Sequence, residues 1–217
     1  MSATPHRRRV AVLISGRGSN MQALVAAASD PAYPVEIVLV LSNKPHAAGL
    51  AFAGEHKIAT AVIDHRTFDG RQEFEVALDA ELVRHDVELV CLAGFMRVLT
   101  EWFINRWTGR LINIHPALLP SFKGLHTHER ALAEGVKIHG CTVHHVVPDV
   151  DAGPIIAQAA VPVLDDDTPD SLGARVLEAE HQVYPMALAL LVSGQTLKKA
   201  KGSHSVDQPM LIVPDGA

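Results

Sequence analysis

Val10-Ala11-Val12-Leu13-Ile14-Ser15-Gly16-Arg17-Gly18-Ser19-Asn20 decides the fold. Its first five residues are all apolar, and such a run marks a strand buried on both faces rather than a half-exposed strand with alternating polarity. Two glycines then permit a tight turn, and Ser19 to Ala28 follows with helical spacing and a high alanine content. Strand, glycine turn and helix in that order open a parallel sheet covered on both sides.

The same alternation continues outward. Val35 to Ser42 predicts a second strand and Ala47 to His56 a helix, before a short strand over Thr60 to Ile63. Asp69 to His85 reads as a long amphipathic helix with Phe74, Ala77, Leu78, Leu82 and Val83 on its buried face. Leu89 to Ala93 and Arg110 to Ile114 are two further apolar strands, with a Trp-bearing helix between them. The pattern then changes. Cys141 to Val147 and Ile155 to Val161 are strands joined without a helix, which predicts an antiparallel or edge addition. A final helix spans roughly Pro169 to Leu191, and from Gly194 onward the periodicity is lost. The expected fold is α/β: a Rossmann-like, mostly parallel sheet with helices on both faces and an antiparallel C-terminal strand addition. The organisation read from the sequence is a flexible arm over 1–9, one domain over 10–192 and a tail over 193–217.

Composition narrows the function classes. Of 217 residues, 48% are apolar and 20% charged, too apolar for intrinsic disorder. Two cysteines cannot staple a secreted fold. A net charge of -5 argues against nucleic acid as the main partner. No window approaches the ~18 apolar residues of a membrane span, and the run after Arg7-Arg8-Arg9 is too short for a signal peptide. The expectation is a cytoplasmic chain acting on small molecules. Thirteen histidines are the compositional oddity.

In an open α/β sheet, ligands sit beyond the carboxyl ends of the strands. There, Gly16 to Asn20 lets backbone N–H groups approach an anion, with Ser19 and Asn20 able to cap the helix. It is neither a Walker loop nor a full dinucleotide fingerprint, because Met21 holds the third glycine position. A phosphate on a small molecule fits better than a dinucleotide. A second turn, Leu111-Ile112-Asn113-Ile114-His115-Pro116, ends another buried strand. Asn113 and His115 point the same way on an extended strand, where an amide and an imidazole together can stabilise an oxyanion. A third, Asp149-Val150-Asp151-Ala152-Gly153-Pro154, is composed like an ordinary turn. It gains chemical interest if the fold brings Asp151 to His115, since a carboxylate beside an imidazole favours the protonated ring.

The ordered set of these stretches resembles the phosphoribosylglycinamide formyltransferases, a folate-dependent formyltransferase family. The likeness is carried by Val12-Leu13-Ile14-Ser15-Gly16 with Gly18-Ser19-Asn20, Leu92-Ala93-Gly94-Phe95-Met96-Arg97 and Ile112-Asn113-Ile114-His115-Pro116. Leu118-Leu119-Pro120, Gly124-Leu125-His126-Thr127-His128 and Asp151-Ala152-Gly153-Pro154 continue it. The resemblance implies a catalytic trio of Asn113, His115 and Asp151. It implies that Gly18, Ser19, Asn20 and Glu180 bind phosphoribosylglycinamide. It also implies that Arg71, Met96, Arg97, Val98 and Leu99, with Asn113, Val147 and Asp151, bind 10-formyltetrahydrofolate as formyl donor. Arg17 and Ala117 depart from family variants; neither departure removes a catalytic group, and each bears on a substrate contact.

Formyl transfer to an amine needs no protein nucleophile, in keeping with the absence of a serine elbow. Cys91 and Cys141 lie inside apolar strands and read as core. His126, His128 and Glu129 match no metal-ligand spacing, and no metal is expected. His144 and His145 are strand neighbours facing opposite sides. The rival activities are 10-formyltetrahydrofolate deformylase, methionyl-tRNA formyltransferase (which would need a further domain) and a non-catalytic phosphosugar or folate module. A homodimer is compatible with the sequence.

Overall fold

In the computed structural model, which describes residues 6–194 and 210–212, strand β1 covers Arg8–Ile14. It starts two residues before the apolar run because both arginines are held there. Arg8 pairs with Glu88 at 2.7 Å, and the Arg9 backbone N–H donates to the same carboxylate at 2.9 Å. Residues 1–5 of the expected arm lie outside the described residues. The chain divides into two compact units, 1–113 and 114–217.

In the first unit, β1 is followed by α1 (Ser19–Ala28), β2 (Val35–Ser42), α2 (Ala48–Glu55), β3 (Ala59–Val62) and a 3₁₀ turn at His65–Thr67. Next come α3 (Arg71–Arg84), β4 (Leu89–Leu92), α4 (Glu101–Arg106) and β5 (Leu111–His115), the strand on which the two units divide. The strands lie in the order β3-β2-β1-β4-β5 and pair in parallel, with Val12 opposite both Val40 and Cys91. Burial of Val10 through Ile14 and of Leu39, Leu41 and Val90 bears out the two-face reading of these strands. One expectation for α3 fails. Val83 is 52% exposed, and Glu75 takes a core place beside Phe74, Leu78 and Leu82. The apolar pattern misleads there because a polar partner for Glu75, Thr100, waits on another segment.

The second unit holds α5 (Thr127–Ala133), β6 (Ile138–His145), β7 (Ile155–Pro162), α6 (Pro169–Ser193) and β8 (Met210–Ile212). β6 and β7 are antiparallel, with Cys141 opposite Ala159. Gly140 permits that pairing, since a Cβ there would lie 1.9 Å from the Ala159 carbonyl oxygen. The long α6 begins at a capping box between Thr168 and Ser171 and packs on β6 and β7. The segment read as a tail contributes β8, antiparallel to β7, with Leu211 opposite Ala159. Residues 195–209 and 213–217 lie outside the described residues. The chain is therefore α/β, mostly parallel with antiparallel C-terminal strands. Among the described residues no helix is long and apolar enough to cross a membrane.

Candidate active site

The glycine turn starts α1 without a side-chain cap. Gly18 is the N-cap of α1 in the left-handed conformation (φ 72°), and no side chain caps the helix. This corrects the expectation that Ser19 or Asn20 would do so: Ser19 is already the first helical residue. An uncapped helix start presents its first N–H groups to an anion. Gly49 on α2, which sequence reading passed over, completes the turn. Its N–H donates to the Gly16 carbonyl at 3.2 Å, and a Cβ there would meet Ile14 Cδ1 at 2.6 Å and the Arg17 carbonyl oxygen at 3.1 Å. An unpatterned glycine inside a helical run was its signal in the sequence.

The segment after β4 also belongs to the first unit. Phe95 and Leu99 are buried, while Met96 and Val98 are 64% and 58% exposed. Neighbouring apolar side chains turned to solvent suit a ligand face. The Met96 N–H donates to Ser15 Oγ at 2.8 Å, and that hydroxyl donates to Asn43 Oδ1 at 2.6 Å. Ser15, directly before the glycine turn, thus ties that turn to the apolar segment. Arg97 is half-buried, and Arg71 stands exposed at the first position of α3. Asn113 is paired in register with Leu92.

In the second unit, His115 at the end of β5 is only 5% exposed. Its Nε2 lies 3.0 Å from the Phe122 carbonyl oxygen, which can only accept, so Nε2 carries hydrogen. Its Nδ1 lies 3.3 Å from Asp151 Oδ2. The fold has done what the spacing left conditional: Asp151 faces His115. Asp151 adopts φ 50°, uncommon for a residue with a Cβ, and is held there by the Gly124 N–H, which donates to Oδ2 at 2.9 Å. Gly153 follows in contact with backbone, since a Cβ on it would lie 1.7 Å from the His145 carbonyl oxygen. Leu119, Pro120, Lys123 and residues 151–155 line a pocket of about 370 Å³.

His144 is the residue sequence reading missed. It is buried, with Nε2 3.7 Å from Asp151 Oδ1, and its Nδ1–H donates to the His145 carbonyl at 2.8 Å. Burial pushes its pKa below the ordinary imidazole value. Strand alternation separated His144 from His145 but could not say which faces Asp151. Thr142, also unforeseen, accepts from the Leu119 N–H at 3.0 Å and donates to the Ala117 carbonyl at 2.7 Å, fixing the loop behind His115. His128 Nδ1 and His139 Nε2 are 3.2 Å apart, and burial first, then its histidine neighbours, lower His139 to about 4. Val147 is half-buried, with Cγ1 3.5 Å from where a Cβ on Gly153 would lie. Glu180 lies on the inward face of α6 and is itself buried. Among the described residues no group of three or more His, Cys, Asp or Glu is placed to hold a metal ion.

Known proteins resemble this chain in sequence and fold. The formyl transferase family model matches residues 8–188. The chain is 42% identical over 186 residues to the phosphoribosylglycinamide formyltransferase of Escherichia coli, covering 86% of this chain and 88% of that one. It is 50% identical over 193 residues to the trifunctional purine biosynthetic protein adenosine-3 of Bos taurus, covering 89% of this chain but 19% of the relative. It spans only 14% of the Drosophila melanogaster trifunctional protein. Among solved structures, the phosphoribosylglycinamide formyltransferase of Brucella melitensis superposes with a TM-score of 0.83 at 52% identity, covering 88% of this chain and 98% of that one. With the family model matching most of its length, the chain belongs to the formyl transferase family.

Proposed function

We propose that the chain transfers the formyl group of 10-formyltetrahydrofolate to the amine of 5'-phosphoribosylglycinamide in purine (IMP) biosynthesis. The products are the N-formyl compound and tetrahydrofolate. The contact of His115 with Asp151 at the end of β5 carries the proposal, with Asn113 two residues earlier on the same strand. Relatives that match this chain over most of both lengths bear the name of that transferase.

In this reading the uncapped start of α1, with Gly18, Ser19 and Asn20, takes the substrate phosphate, and Glu180 takes the ribose. Met96, Val98 and Leu99 receive the apolar part of the formyl donor, with Arg71, Arg97 and Val147 beside it. The amine attacks the formyl carbon, so the protein supplies oxyanion stabilisation and proton transfer instead of a nucleophile. Asn113 and His115 are the oxyanion donors. The Nε2–H that His115 now gives to the Phe122 carbonyl is the one the developing oxyanion takes over. Asp151 orients the ring through Nδ1 and accepts the proton that the attacking nitrogen loses. As the C–N bond to the donor breaks, the proton taken up by Asp151 passes on to the departing nitrogen, so the catalytic groups end as they began.

The proposal includes a cytoplasmic setting, in keeping with Cys91 and Cys141 lying buried in separate strands. Deformylation uses the same residues with water as attacker, so the attacking group is what an assay must vary. Purified protein supplied with donor and phosphoribosylglycinamide is expected to yield the N-formyl product by mass spectrometry. Free formate as the main product, whether or not the amine is present, would instead identify a hydrolase.

A further inference from the structure

The sequence pattern assigned the buried face of α3 to apolar residues, yet Glu75 lies in it, 1% exposed. A buried acidic side chain is costly unless its oxygens are well bonded. Here both are bonded to one residue outside α3. Glu75 Oε1 accepts from the Thr100 backbone N–H at 2.7 Å, and Oε2 accepts from the Thr100 hydroxyl. The direction of that second bond is fixed. Thr100 Oγ1 caps α4 by accepting from the Phe103 N–H, and its own hydrogen is left for Glu75. Among the described residues no cationic side chain pairs with Glu75, so Thr100 alone accounts for the buried carboxyl.

Thr100 ends the segment that presents Met96 and Val98 to solvent. The other end is held by Ser15 Oγ at the Met96 N–H. Phe95, just before the first anchor, and Leu99, just before the second, are buried, while the Met96 and Val98 side chains face outward. Helix α4 needs only the Thr100 hydroxyl as its cap, which any N-cap threonine provides. The bidentate hold from α3 is additional. What it adds is a fixed distance between the segment and the helix whose first residue is Arg71.

We infer that Glu75 is a positioning residue for the formyl donor: through Thr100 it sets the 96–99 segment at the height at which Met96, Val98 and Leu99 receive the donor. This rests on the reading of those residues as the donor face given above. Preorganisation of this kind appears in donor affinity, because the unheld segment must be ordered when the donor binds. The amine substrate, assigned to the glycine turn, does not sense it.

Glu75→Gln keeps the shape and one acceptor but turns an N–H toward a hydroxyl that needs an acceptor. Thr100→Val removes the hydroxyl with little change of volume, and Thr100→Ser restores it. The measurement is steady-state kinetics with 10-formyl-5,8-dideazafolate as donor, alongside the thermal midpoint of each variant. Loss of one buried hydrogen bond predicts a KM for donor raised about fivefold in Glu75→Gln and in Thr100→Val. The kcat and the KM for phosphoribosylglycinamide stay within twofold, and Thr100→Ser returns the donor KM to the wild-type value. Lower thermal midpoints with an unchanged donor KM in both variants would overturn the inference and leave Glu75 a plain structural residue. If the wild type performs no amine-dependent transfer, the functional reading itself falls and takes this inference with it.

Discussion

The first unit turns an uncapped helix start and apolar side chains outward where the proposed substrates would bind, whereas the second keeps its proposed catalytic groups under cover. In residues 1–113, the uncapped start of α1 and the outward Met96 and Val98 are open, and their supports (Ser15, Gly49 and Glu75) lie behind them. In residues 114–217, His115 and His144 are buried and Asp151 is half-buried, and the backbone takes left-handed conformations at Phe122, Gly124, His126 and Asp151. Open surfaces tolerate small displacements at a cost in affinity. A buried proton-transfer pair tolerates almost none, and displacement there costs rate. Substitutions in the two units should therefore separate into KM effects and kcat effects.

The largest effect is expected at the pair itself. Asp151→Asn keeps the shape but removes the proton acceptor, and kcat should fall by about 10²–10⁴, with the thermal midpoint little changed. Near-normal turnover would remove Asp151 from the mechanism. Gly153→Ala comes next, because the added carbon would sit 1.7 Å from the His145 carbonyl oxygen and the backbone beside Asp151 must move. A fall in kcat of about 10² is expected from a displacement near 1 Å, with smaller changes in either KM. On the opposite side of the comparison, Gly49→Ala presses on the terminal carbon of Ile14 and on the Arg17 carbonyl. The KM for phosphoribosylglycinamide should rise about tenfold, as expected for one weakened charge-assisted contact, with kcat within twofold. Equal losses of kcat from Gly49→Ala and Gly153→Ala would erase the distinction between the units.

The smallest effect is on stability. Burial holds His139 at about 4 in the folded chain, below the ordinary value of 6.5, and lowers His128 in the same direction. The folded state is thus favoured most above pH 6.5. It loses that advantage as the pH falls from there toward 4, because the unfolded chain takes up the proton first. The thermal midpoint should drop across that window, and by less in His139→Gln. A profile flat from pH 7 to 4 would show that these rings do not govern it.

Sequence alone revealed the open unit more fully than the buried one. Continuous apolar runs such as Val10 to Ile14 announce buried strands, and a glycine turn after the first of them announces an anion site. The lapses in that unit come from long-range bonds. Val83 looked like core and Glu75 did not, since nothing near α3 in sequence shows that Thr100 will satisfy a buried carboxyl. In the second unit, spacing put Asn113 and His115 on one side of a strand, and the link to Asp151 came by resemblance. No residue pattern advertises that Asp151 takes φ 50°, or that the β6–β7 register shifts between Val143 and His144, the histidine that turns toward Asp151. β8 escaped notice because its three residues lie among glycine and proline in a segment without periodicity.

The central claim, that the buried pair serves attack by an amine, is tested most directly by the rate of donor consumption with and without phosphoribosylglycinamide. The absorbance change of 10-formyl-5,8-dideazafolate should appear only when that amine is present, saturate with it, and all but vanish in Asp151→Asn. Donor consumption at the same rate without the amine, or none in its presence, would contradict the account.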